Sequence, residues 1–122
     1  MALVPTVNTK TRISAAWADA AVICPWEIYM AYGNKQILQN QFESMKKWVD
    51  YVHNFGKEEY LWLGGDHFGD WLAMDNTDGS YIGATSVDYI ASAFFAHSTD
   101  LTIKAGKVLG YDMSTYESLY KN

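Results

Sequence analysis

The chain has 122 residues, a formal net charge of −5, and 49% hydrophobic and 16% aromatic side chains. That length fits one domain with a buried core, and that composition excludes intrinsic disorder. An acidic chain without a run of lysine or arginine is a poor match for nucleic acid or an anionic membrane, so neither is expected as a partner.

The single cysteine, Cys24, lies in an apolar run and is expected to be a small buried side chain rather than a reactive thiol. The first ten residues, MALVPTVNTK, contain no apolar signal region, and no segment is long enough to span a membrane. A soluble chain is expected, with the compartment left unassigned.

Residues 1–12 read as an extended lead-in. Ser14 is placed to cap a helix over about 15–32, ended by Gly33. Pro25 falls inside it and predicts a kink near 21–24, because proline removes a hydrogen bond and crowds the preceding turn. The run is apolar almost all round (Ala20, Ala21, Val22, Ile23, Cys24, Trp26, Ile28, Met30), which predicts a buried helix. Gly33-Asn34 leaves room only for a short turn before a second helix over about 35–54. Its apolar residues Ile37, Leu38, Phe42, Met45, Trp48, Val49, Val52 and Phe55 have helical spacing, with Lys46, Lys47 and Asp50 opposite. So short a connection predicts an antiparallel hairpin.

A long insertion follows, about 56–84. Its 60–75 stretch, YLWLGGDHFGDWLAMD, packs Tyr60, Trp62, Phe68 and Trp71 together with Asp66, Asp70, Asp75 and His67 among three glycines. Aromatic faces stack on the C–H faces of a sugar and carboxylates accept from its hydroxyls, so the mixture suits a small-molecule site. It equally suits a loop that plugs a core. The later aspartates do not make an EF-hand: counting back from Gly79 puts Met74 at the first ligand position, and Thr85 stands where the closing glutamate belongs. His53 and His97 have no partner at metal spacing, so no metal or other cofactor is expected. Glu27, Glu43 and Glu117 read as solvated or capping positions.

Thr85 or Ser86 is placed to cap a third helix over about 87–109, ended by Gly110, with Ile90, Phe94, Leu101, Ala105 and Val108 on its buried side. Ser114 and Glu117 form a Ser-x-x-Glu capping box that predicts a fourth helix from about 115. Two turns make a poor helix, so the chain is expected to continue in a larger fold. With helices running up, down and up, the tight turns at Gly33 and Gly110 fall at one end. The lead-in and the insertion fall at the other, with Trp17 and Asp19 near the same rim. Such hairpins describe half of an α/α barrel, and long loops on one rim are where function is expected.

At AAWADAAVICPWEIYMAYGN, QFESMKKWVDYV, HFGDWLAMD and GSYIGATSVDYIASAFFAHS the sequence resembles the catalytic domain of bacterial α-L-rhamnosidases, glycoside hydrolase family 78. The likeness covers nearly the whole chain as ordered blocks. It implies an all-α fold: antiparallel helical hairpins forming part of an (α/α)6 barrel about three times this length, with one long functional loop at about 56–84. Residues 1–122 then form a single partial domain. The family removes terminal α-L-rhamnose from glycosides and polysaccharides with inversion, so a rhamnose-containing glycoside is the implied partner.

Carried over residue by residue, Trp17 and Trp71 match tryptophans that line the rhamnose pocket. Asp19 and Asp70 are the acids beside them, expected to orient the tryptophans or bind hydroxyls. His67 and Phe68 lie in a matching block without an assigned role, and His67 is counted among the substrate-binding candidates. The alternative for each ring is core packing; for each aspartate it is holding backbone N–H groups.

An inverting glycosidase needs a general acid and a general base. The resemblance places the acid in an Asp-Glu-Arg-like motif upstream of the Trp-x-Asp block and the base well downstream. Neither lies in these residues, so no catalytic residue is assigned, and the chain is expected to carry pocket walls without activity of its own. Raw hairpin edges predict self-association. The competing readings are a non-catalytic helical module that binds glycan or protein, and a piece of another six-hairpin glycosidase.

Overall fold

The computed structural model describes residues 13–55, 58, 60–76 and 79–122. The extended lead-in expected over 1–12 and five residues of the insertion (56, 57, 59, 77 and 78) lie outside them. The described chain is all-helical: α1 (Ala20–Tyr32), α2 (Lys35–Phe55), α3 (Val87–Leu109) and α4 (Ser114–Lys121). Its extended pairing among the described residues is limited to two isolated bridges, Glu58 with Leu61 and Trp71 with Ile82. α1 packs on α2, α2 on α3, α1 on α3, and α4 against the end of α3.

α2 is the keel of this packing. Leu38, Phe42, Met45, Trp48, Val49 and Val52 recur three or four residues apart and all are buried. Each such side chain withdrawn from water contributes about 1.5–3 kcal/mol. Both tight turns use glycine in the left-handed region: Gly33 at φ 66° closes α1 by donating to the Tyr29 carbonyl, and Gly110 at φ 82° closes α3. Tyr111, just past Gly110, stacks on Phe42 at 5.0 Å and receives a hydrogen bond from Gln39, which puts the two turns at the same end. The insertion meets the 14–19 segment at the opposite end.

Five local expectations are corrected. α1 starts at Ala20, five residues later than the Ser14 cap implied, because 15–19 form tight turns. α1 is also not buried all round: α2 and α3 cover one side, with Val22 and Pro25 inward, while Met30 is 61% and Tyr32 80% exposed. Cys24 lies on that outward side and is exposed, against the buried position expected for it.

The capping box at Ser114 does not close either. Ser114 is the first helical residue and its N–H donates to Asp112 Oδ1 (3.0 Å), while Glu117 Oε1 is drawn 2.5 Å from Lys107 Nζ. An ion partner outside the helix outcompetes the backbone for that carboxylate, and it holds the Glu117 carboxyl below its ordinary range. On α3, Ile90, Phe94 and Val108 are only half-buried. Ala91, Phe95, Ser98, Thr99 and Thr102 take the deeper positions.

Candidate functional site

The 14–19 segment is built around a buried carboxylate. Asp19 is fully buried, and its Oδ1 accepts from the Trp48 indole N–H (2.7 Å) and from the Ser98 hydroxyl (2.5 Å). Its Oδ2 accepts from the Ala16 N–H at 2.8 Å. One side chain thus ties the turn to α2 and α3. Ala16 sits at φ 68°, a left-handed conformation that costs a residue with a Cβ roughly 1–2 kcal/mol. The Asp19 bond holds it there, and the next residue, Trp17, is thrown outward, 47% exposed. Asp19 thus holds a backbone N–H of the turn that carries Trp17, the alternative weighed for it, and does so from beneath the surface.

Burial raises the Asp19 pKa above the ordinary carboxylate value, and the hydrogen bonds from Ser98, Trp48 and Ala16 and the charge of His97 oppose the rise without cancelling it. A folded pKa above the unfolded one means that this group's stabilisation is fully present below about 3.8 and is lost as pH rises through the folded value. The thermal-midpoint advantage of the unaltered chain over Asp19→Asn is therefore expected to shrink as pH rises above 3.8 and then level off. Midpoints measured in a pH series on both chains check this, and a constant difference would contradict it.

His67 is buried beneath the same turn. Its Nδ1 accepts the Ala15 N–H (3.1 Å) and its Nε2 lies 3.1 Å from the Gly64 carbonyl, which assigns the proton to Nε2. The ring stands edge-on to Trp62, 4.5 Å between centroids. With both nitrogens engaged, His67 joins the 64–68 loop to the 14–19 turn and presents no free atom to a ligand. Ser14 completes the join: its hydroxyl accepts the Phe68 N–H at 3.2 Å. Deeper in, Gly64 N–H donates to Asp88 Oδ1 and Trp62 N–H to Ser92 Oγ, anchoring the insertion on the start of α3.

Above this base runs a row of rings. Phe68 lies 5.5 Å from Trp17 and 5.6 Å from Trp71, and Trp71 lies 5.5 Å from Tyr81. Trp71 is 48% and Tyr81 61% exposed. Phe68, named in the sequence without a role, is the ring that joins the two tryptophans. Tyr81 was not singled out, because its place beside Trp71 depends on the chain doubling back. That return is made by Leu72 N–H to the Tyr81 carbonyl (2.6 Å) and Gly83 N–H to the Asp70 carbonyl (3.0 Å). Leu72, like Ala16, has positive φ (64°). Each tryptophan of the row therefore neighbours a non-glycine residue in the left-handed region.

Asp70 is exposed beside Trp71, and Asp75 is exposed nearby. Both carboxylates converge on Gly83: a Cβ there would lie 3.3 Å from Asp70 Oδ2, 2.9 Å from Asp75 Oδ1 and 2.5 Å from the Ala73 methyl. Only glycine fits so close an approach. Gly83→Ala is expected to push the 70–83 hairpin open, cost roughly 1–3 kcal/mol, and weaken the near-ultraviolet dichroism of the stacked Trp71–Tyr81 pair. An unchanged aromatic spectrum would contradict it. Among the described residues no cluster of three or more metal-binding side chains occurs.

An aromatic row flanked by two exposed carboxylates, mounted on a buried polar base, can stack a polyhydroxylated ring and accept its hydroxyls. Comparison with known proteins agrees on the family. The profile of the bacterial alpha-L-rhamnosidase six-hairpin glycosidase domain matches residues 1–122. An alpha-L-rhamnosidase of Formosa agariphila is 38% identical over 122 residues, covering 98% of this chain and 13% of that protein. One of Streptomyces avermitilis is 34% identical over 116 residues, covering 95% and 10%.

The crystal structure of the Streptomyces avermitilis alpha-L-rhamnosidase complexed with L-rhamnose superposes with a TM-score of 0.79 at 35% identity, over 96% of this chain and 10% of that one. The native enzyme of Aspergillus terreus superposes at 0.84 with 26% identity, over 97% and 14%. The chain spans about a tenth to an eighth of the length of the curated relatives it matches. On sequence and architecture together, the chain belongs to the bacterial α-L-rhamnosidase six-hairpin glycosidase family.

Proposed function

We propose that residues 1–122 supply part of the rhamnose-binding rim of an inverting α-L-rhamnosidase. Trp17, Phe68 and Trp71 form the stacking wall, and Asp70 accepts from the sugar's hydroxyls. Asp19 and His67 hold that wall from below. The single observation that carries this reading is the continuous, half-exposed ring row built on a buried carboxylate. A relative of known structure is complexed with L-rhamnose, which favours that sugar here. The general acid and base stand outside this chain, so the chain binds and does not hydrolyse.

Titration of tryptophan fluorescence tests the binding: L-rhamnose quenches it and D-glucose does not. Equal responses would favour a binding module of another specificity. Hydrolysis of an aryl α-L-rhamnoside by the chain, abolished in Asp70→Asn, would overturn the assignment of catalysis to groups elsewhere. The outward side of α1, with Ile28, Met30 and Tyr32 exposed, supports self-association of the chain. Sedimentation at micromolar concentration is expected to show more than monomer.

A further inference from the structure

The bundle has two unlike edges. On one, the outward side of α1 is an apolar ridge, with Ile28 42% and Met30 61% exposed. Glu27, the one charged residue of α1, is exposed and lies between those two around the helix. On the other edge is an open cavity of about 150 Å3, room for one large apolar side chain. Leu61 of the insertion, Phe95 and Ala96 of α3, and Leu119, Tyr120 and Asn122 at the end of α4 line it. Lys121, between two of these, is exposed beside it.

The edges lie on different sides of α3. Among the described residues α1 and α4 make no packing contact. Ser98 reaches Asp19 at the start of α1, whereas the Phe95–Ala96–Thr99 stripe behind the cavity lies about 100° further round α3. Two α1 ridges paired about a twofold axis would set each Glu27 against apolar side chains or the other Glu27. A carboxylate buried without a partner disfavours that arrangement strongly. The groove offers the ridge a hollow for Met30 and a lysine for Glu27. Contacts between unlike surfaces repeat head to tail until the rotation closes into a ring. The matching domain has six hairpins, and this chain supplies two of that kind, α1–α2 and α3–α4.

We propose that the groove's occupant is a second copy of this chain, and that three copies close into a ring of six hairpins. The α1 ridge of each lies in the α3–α4 groove of the next, with Met30 in the cavity and Glu27 paired to Lys121. This deepens the self-association proposed above and rests on it. A rotation axis keeps every insertion on one rim, so the ring presents three Trp17–Phe68–Trp71 walls side by side.

Sedimentation equilibrium at micromolar concentration is expected to give three times the chain mass. Glu27→Lys and Lys121→Glu, both at exposed positions, are each expected to weaken association about tenfold by facing like charges. The double variant Glu27→Lys/Lys121→Glu, which restores opposite charges in reverse, is expected to regain the trimer. A monomeric unaltered chain would overturn self-association and the ring together. Association that both single variants leave unchanged, or that Glu27→Lys weakens and Lys121→Glu does not, would overturn the ridge-in-groove contact alone. A stable dimer would overturn closure at three.

Discussion

Replacing Asp19 with alanine is expected to be the most damaging single change to the described fold. It leaves the Trp48 indole N–H, the Ser98 hydroxyl and the Ala16 N–H without their acceptor in a site closed to water. Each buried donor stripped of its partner costs about 1–3 kcal/mol. The serine can turn toward another acceptor and the turn can loosen, so a total of roughly 3 kcal/mol is the expected loss. For a chain of this size that lowers the thermal midpoint by on the order of 10 °C.

Scanning calorimetry on Asp19→Ala and on Trp48→Phe checks the assignment. The phenylalanine variant removes one donor instead of the acceptor and should lose clearly less. If the two lose equally, the cost lies in tryptophan packing and the carboxylate is not the tie described.

Trp71→Ala should have the largest effect on binding. Trp71 touches both Phe68 and Tyr81, so its removal splits the ring row in the middle, where the terminal sugar is proposed to stack. Aromatic anchors at binding sites carry about 2 kcal/mol or more, so L-rhamnose affinity is expected to fall about 30-fold. Trp17→Ala, at the end of the row, should cost less. Stability should change little in either, since both rings are about half exposed. Calorimetric titration of both variants decides it: an unchanged affinity in Trp71→Ala removes the ring from the site.

The helices were largely legible because periodicity reports burial directly. α3 runs over the expected 87–109, and α2 ends one residue past its expected limit. α1 misled at its start because Ser14 has the chemistry of a cap, while the feature that decides the segment is distant. The Asp19 carboxylate reaches Trp48 and Ser98, 29 and 79 residues away in the chain, and holds Ala16 in a conformation no local pattern encodes. The outward side of α1 was misjudged for a related reason: apolar residues all round a helix say nothing of how many neighbours cover it.

At the site, Trp17 and Trp71 were named from the family blocks. The corner made by Phe68 and the partnership of Trp71 with Tyr81 arise only when the loop folds back on itself. The burial of His67 likewise follows from its bond to Ala15, 52 residues earlier.

The carboxylate tie at Asp19 has a further consequence for how the two ends of the ring row behave in time. The Trp17 turn is bonded into α2 and α3, so it belongs to the same cooperative unit as the helical core and opens only when that core does. The Trp71–Tyr81 hairpin is held by a few backbone bonds in exposed chain, the kind of segment that opens locally at far lower free energy. One jaw of the site is thus fixed and the other compliant. Amide exchange should be as slow at Ala16 as in the helical core and fast at Asn76. If the proposed rhamnose site is correct, its ligand meets one wall that cannot yield and one that can.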